Sequence, residues 1–201
     1  MSMPTSVPVC PRRSVLYMPG ANTRALEKAR TLPADALIFD LEDAVAPDAK
    51  EAARGNVVAA ARSRSYGKRE IAIRCNGLTT PWGKADVAAI ATSGADAILV
   101  PKVESAADVA EIVGLLDQAG APSSMAVWAM METPKGILRA EEIAAAERAL
   151  KELHGEVAAT QRTPTGTIVV IRKMAKTSRL YPRDQGLPAR KPLGGKASEP
   201  D

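Results

Sequence analysis

The chain has 201 residues, 46% hydrophobic and 25% charged, which suits a single globular domain with a sizeable core. No run approaches the roughly 18 apolar residues of a membrane span, and no apolar segment comes after Arg12 and Arg13 as a secretory leader would require. The net charge of +4 is not evenly spread: residues 1–146 carry 16 basic and 17 acidic side chains, residues 147–201 carry 11 and 6. Only the tail is basic. It has no aromatic interleaving and no binding motif, so a nucleic-acid partner is not expected. Aromatics make up 3%, which leaves Ala, Val, Ile and Leu to build the core. Cys10 and Cys75 stand in no metal-ligand spacing and read as reduced thiols of a cytoplasmic protein.

In chain order, residues 1–12 hold three prolines and no periodic pattern, a loose lead-in. Val15–Met18 is a short apolar run stopped by Pro19-Gly20, the first predicted strand. Asn22 is placed to cap a helix with Ala25, Leu26, Ala29 and Leu32 on one face. Leu37–Phe39 is the apolar start of a second strand, and Asp40, Glu42 and Asp43 stand where it runs out. Pro47 suits the first turn of a helix reaching about Arg64. Glu70–Arg74 predicts strand three and delivers Arg74 and Asn76 to its end.

A helix over 82–92 leads to strand four, Ala97–Lys102. Ser105 caps the next helix, whose buried stripe is Val109, Ile112, Val113 and Leu116. Met125–Met131 is strand five and delivers Glu132. Pro134 opens a last helix with Ile137, Leu138 and Ile143 on its buried side.

Five βα units in succession predict an α/β fold with a parallel sheet. Right-handed crossovers bring the C-terminal strand ends to one rim. Asp40, Glu42, Asp43, Arg74, Lys102 and Glu132 are therefore expected to converge. Such a cluster has two readings. The groups are mutual salt bridges, or they bind a divalent metal and an anionic substrate. Mg2+ takes one or two carboxylates and fills its other positions with water and substrate oxygens. Arginine holds a carboxylate by two parallel hydrogen bonds.

Arg13–Asn22, Phe39–Val45, Ile73–Asn76, Pro101-Lys102 and Met131–Pro134, in this order, resemble the citrate lyase β-subunit-like branch of the HpcH/HpaI aldolase family. The resemblance covers roughly residues 12–146. It implies a TIM barrel, here partial, with about five βα units over residues 13–157, and the composition beyond it, with scattered Pro and Gly and an excess of Lys and Arg, predicts a largely irregular, disordered basic tail over 158–201. It implies a Mg2+-dependent lyase that makes or breaks a carbon–carbon bond between a CoA thioester and a small 2-oxo acid. The substrate would be a 3-hydroxyacyl-CoA such as malyl-, citramalyl- or citryl-CoA.

Carried over by position, Arg74 would hold the oxo-acid carboxylate and Glu132 would bind Mg2+. Arg13 would help hold CoA. Asp40, Glu42 and Asp43 would line the catalytic rim, and Lys102 would be a supporting charge. The family's second metal ligand, an Asp on the next strand, has no counterpart here, although Lys151–Glu156 resembles the segment just after that Asp in relatives. The alternative function is therefore an inactive barrel remnant that binds CoA or a partner subunit.

Open sheet edges and uncovered helix faces predict a homo-oligomer. His154 is expected to face solvent, and Trp82 and Trp128 to pack. Composition and periodicity change together near Ala158, which predicts that the tail is read in a different frame from the barrel.

Overall fold

A computed structural model describes residues 12–145 and the backbone of residues 155–163 and 166–173. The five expected strands form as β1 (Val15–Pro19), β2 (Ala36–Asp40), β3 (Glu70–Arg74), β4 (Ala97–Val100) and β5 (Ala126–Met131). They are parallel neighbours in chain order. Helices α1 (Thr23–Ala29), α2 (Lys50–Arg62), α3 (Gly83–Ala91) and α4 (Ala106–Gln118) alternate with them. After β5 come α5 (Pro134–Leu138) and α6 (Ala140–Ala145).

Local chemistry sets the ends of these elements. The Asn22 side chain accepts the Ala25 N–H at 3.0 Å and starts α1. Pro47 opens a 3₁₀ turn, Pro47–Ala49, that leads into α2. Ser105 and Asp108 close a reciprocal capping box at the start of α4. Gly120, with φ +76, stands after the end of that helix, where a left-handed residue costs glycine little.

The strands alternate between two apolar faces, as a pleat of period two requires. Leu37, Phe39, Ile71, Ile73, Ile98 and Val127 face the helices and join one large cluster with Val57, Val87, Ile90, Val109 and Ile112. Burying a side chain such as Phe39 contributes about 1.5–3 kcal/mol. Ala36, Ile38, Ala72, Ala97, Leu99, Ala126, Trp128 and Met130 form a second cluster on the other face. Trp128 packs, as its sequence context suggests, with the Arg12 guanidinium 5.3 Å from its ring centroid.

The C-terminal half departs from the expected elements in two places. The helix opened by Pro134 is split into α5 and α6, and only Ile143 of its three expected core residues is buried. Ile137 is 57% and Leu138 87% exposed. A Cβ at Gly136 would run into the Val103 carbonyl, so glycine is what lets this first turn pack against the segment after β4.

The second departure is a hairpin, β6 (Gly155–Thr163) and β7 (Gly166–Lys173). It adds antiparallel to β5, giving the sheet order β1-β2-β3-β4-β5-β7-β6. Residues 158–163 and 166–173, expected to be irregular, thus continue the sheet. Backbone pairing along an open edge accounts for this, and Ile168–Ile171 in β7 is the one apolar run available for it. His154 and residues 174–201 lie outside the described residues.

Candidate active site

The inner face of the sheet turns polar at its C-terminal end. Asp40 and Arg74 are direct cross-strand partners at the ends of β2 and β3. Tyr17 shares that face on β1, and Glu132 stands just past β5, two residues after Met130. Even spacing on each strand places all of them on one side of the sheet.

Asp40 is buried and fully engaged. Its Oδ1 accepts from Arg74 Nε at 2.7 Å and from the Glu42 N–H at 2.8 Å. Its Oδ2 accepts from Arg74 Nη2 at 2.7 Å and from the Ala44 N–H at 3.0 Å. Burial alone would raise the carboxyl's pKa, but the guanidinium and the two amides overcome it and hold Asp40 below the usual range. For Arg74, burial works against the cation, and the bonds and charges of Asp40 and Glu42 nevertheless raise its pKa.

The third nitrogen of the fork, Nη1, lies 2.9 Å from Oε2 of Glu42 and 3.6 Å from Asp43. Neither contact is a well-aligned hydrogen bond, and Glu42 Oε2 is buried without one. Lys102 Nζ meets the other oxygen, Oε1, at 2.7 Å. Asp43 itself points to solvent. The Tyr17 ring lies 5.0 Å from the Arg74 guanidinium, and its hydroxyl reaches Met130 Sδ at 3.7 Å.

Glu132 accepts the Lys102 backbone N–H on Oε1 at 3.1 Å. Its pKa is raised, first by burial and then by the charge of Glu42. The structure therefore gathers Asp40, Glu42, Asp43, Arg74, Lys102 and Glu132 at one rim.

Arg13 is the exception. It precedes β1, and its side chain, 80% exposed, pairs with Asp35 at 2.8 Å just before β2. Both belong to the N-terminal ends of the strands. Five residues of strand separate them from Arg74, on the order of 17 Å. The role expected of Arg13 is to help hold CoA, and the short strand sets it at the opposite rim from Arg74.

Sequence reading missed Lys50, which sits within the helix after the acidic loop. Its buried Nζ donates to the carbonyls of Leu41 and Glu42, each at 2.7 Å, and lies 5.4 Å from the Trp82 ring centroid. Nothing in its spacing marks it, since its partners are main-chain atoms. Tyr17 carried a usable signal: it alternates with Val15 on the strand face that ends at the rim.

Among the described residues, no three His, Cys, Asp or Glu side chains come together as a metal cage. Mg2+ does not demand one, since water and substrate oxygens complete its octahedron. Glu132, a carboxylate disfavoured as a bare charge, fits one arm of such a site.

The HpcH/HpaI aldolase/citrate lyase family model matches residues 13–155. The chain belongs to this family. A (3S)-malyl-CoA thioesterase of Cereibacter sphaeroides is 52% identical over 138 residues, covering 69% of this chain and 46% of that one. Citrate lyase subunit beta of Escherichia coli K12 is 40% identical over 167 residues, covering 78% and 55%. The chain thus spans about half the length of the curated relatives it matches.

Among solved structures, the citrate lyase beta subunit from Mycobacterium tuberculosis complexed with oxaloacetate and magnesium superposes with a TM-score of 0.51 at 31% identity. The match covers 68% of this chain and 56% of that one. Protein CitE of the same organism, in complex with magnesium, acetoacetate and coenzyme A, gives 0.51 at 32% identity, covering 68% and 46%. The five-stranded parallel sheet with alternating helices is this family's barrel-like fold in part. No helix among the described residues is long and apolar enough to cross a membrane.

Proposed function

We propose that this chain carries the oxo-acid and metal half of a carbon–carbon lyase acting on a 3-hydroxyacyl-CoA thioester of the malyl, citramalyl or citryl type. The observation that supports it is the single rim joining Arg74, Asp40, Glu42, Lys102 and Glu132. Glu132 would hold Mg2+, which when bound polarises a 2-oxo acid and stabilises enolate-like charge. Asp40 holds the Arg74 fork in place, and Nη1, whose aligned bond is a long one to Met130 Sδ at 4.0 Å, is the nitrogen to meet a substrate carboxylate. Glu42 sets the charge around both. The Lys102 ammonium pairs with Glu42. The buried Cys75 thiol, unpaired and with its pKa raised by burial, suits a cytoplasmic setting.

The test is purified chain with Mg2+, acetyl-CoA and glyoxylate or pyruvate. Joining of the two with loss of neither carbon supports the lyase. With malyl-CoA supplied instead, release of free CoA and malate without cleavage of the carbon–carbon bond would indicate a thioesterase, the activity named for the 52% identical relative. In an active chain, Glu132→Gln should abolish Mg2+ dependence, and Arg74→Ala should lower turnover by about two to three orders of magnitude. Unchanged kinetics in both would sink the site.

A second reading has its own observation. Among the described residues, no group of three His, Cys, Asp or Glu side chains forms around Glu132. On that reading the chain binds CoA or a partner subunit without turnover. Retained CoA binding with no thioester consumed would favour it.

A further inference from the structure

Lys102 comes after β4 and takes φ +53, the left-handed region that an L side chain enters at a cost. Such a conformation persists only where the surroundings hold it. Two hydrogen bonds show what holds it here. The Lys102 N–H donates to Oε1 of Glu132 at 3.1 Å, and the next N–H, of Val103, donates to the Met130 carbonyl at 3.1 Å.

In a continuing strand, successive N–H groups point to opposite sides. Here both point toward the end of β5, and a left-handed residue between them is what permits it. The Lys102 side chain goes the other way, its Nζ 2.7 Å from Oε1 of Glu42. A single residue therefore ties the loop after β2 to the end of β5, past the end of β3.

We propose that Lys102 is a positioning residue that presents Glu132 to a divalent cation through its strained backbone amide, while its ammonium serves Glu42. The inference rests on the reading of Glu132 as the cation's ligand. It assigns the hold on Glu132 to a main-chain conformation and not to charge.

The experiment uses the full chain and Mn2+ as probe, with free ion tracked by electron paramagnetic resonance. Lys102→Gly and Lys102→Val both remove the ammonium. Glycine adopts positive φ freely, whereas β-branched valine resists it. Lys102→Gly should bind Mn2+ within about threefold of wild type, and Lys102→Val about tenfold more weakly, a factor matching the cost of one left-handed residue. Equal affinities of the two variants overturn the proposal. If Lys102→Val does not fold, Lys102→Asn against Lys102→Ala makes the same comparison, because asparagine tolerates the left-handed region.

A second readout needs no metal. The residue-102 amide should resist hydrogen exchange in wild type and Lys102→Gly, and lose that protection in Glu132→Ala. Free exchange in the wild type overturns the proposal whether or not Mn2+ binds. The expected protection pattern without Mn2+ binding upholds the main-chain hold on Glu132 and overturns only the cation reading.

Discussion

Arg74 grips Asp40 through both arms of its guanidinium, Nε to Oδ1 and Nη2 to Oδ2, each at 2.7 Å. The fork that sequence reading assigned to a substrate carboxylate is thus occupied by a carboxylate of the chain itself. A ligand carboxylate would have to meet Nη1, which lies 2.9 Å from Glu42 Oε2. Both readings of the rim, mutual ion pairs and an anion site, describe the same arginine by different nitrogens.

Breaking that pair should be costly, because each partner would leave the other buried and charged. Arg74→Ala is expected to destabilise by about 3–5 kcal/mol, and Arg74→Lys to recover only part, since an ammonium cannot match the fork. Asp40 has its folded pKa below 3.8, so its contribution is present above that value and lost as pH falls through the folded one. Urea unfolding at pH 7 and near pH 3 should show the gap between wild type and Arg74→Ala shrinking in acid. A loss below about 1 kcal/mol at pH 7 would contradict the buried pair.

Lys50 fastens the acidic loop from below by its bonds to two carbonyls. Lys50→Met keeps the length of the side chain and removes the donor. Each orphaned carbonyl costs about 1–3 kcal/mol, partly offset because a buried ammonium no longer has to be desolvated. The expected result is a lower Tm together with faster exchange of the Glu42 and Ala44 amides. Unchanged exchange would mean that Asp40 alone shapes the loop.

Arg13 should matter to Asp35 and not to the rim. The Asp35 carboxyl is held at about 2, chiefly by its hydrogen bond from Arg13 and further by the Ser14 and Arg13 amides. Arg13→Ala should move it toward, but not fully to, 3.8. The stability that Asp35 lends is present above 3.8 and lost as pH falls toward 2. Carboxyl NMR titration reads the shift. CoA affinity should stay within about twofold of wild type, as for an exposed pair remote from the site; a tenfold loss would restore the role first expected for Arg13.

Glu132 offers the opposite sign. Its folded pKa lies above 4.5, so folding disfavours its charge, fully so above the folded value and no longer below 4.5. Glu132→Gln should therefore melt higher than wild type at pH 7, by a few degrees, with the difference closing as pH approaches 4.5. A variant that melts lower at pH 7 would show that this carboxylate is held for structure.

The frame of the coding DNA gives the cheapest check. In the Ala158 region, β7 pairs antiparallel with β5 and β6 pairs antiparallel with β7, in the order β5-β7-β6, where a barrel would continue with a parallel strand beside β5. We expect another frame, downstream of the His154 codon, to translate into the family's later strands. If neither alternative frame does, the basic segment is an extension in its own right.

Strand order and the identity of the rim were legible in the chain alone. Short apolar runs, each ending in Pro-Gly or a charged residue and separated by amphipathic helices, leave a parallel sheet as the simplest solution, and chirality then puts Asp40, Arg74 and Glu132 on one side. The caps at Asn22 and Ser105 act within a few residues, so local sequence suffices for them. Tertiary structure alone decided how the charges pair: that Asp40 takes the Arg74 fork, that Lys50 binds main-chain oxygens, and that Arg13 turns to Asp35 at the far rim. It also decided that β7 pairs along β5 and β6 along β7. Spacing along a chain cannot carry these choices, because a hydrogen bond depends on distances between strands that are neighbours in space, and an open strand edge accepts any backbone that reaches it.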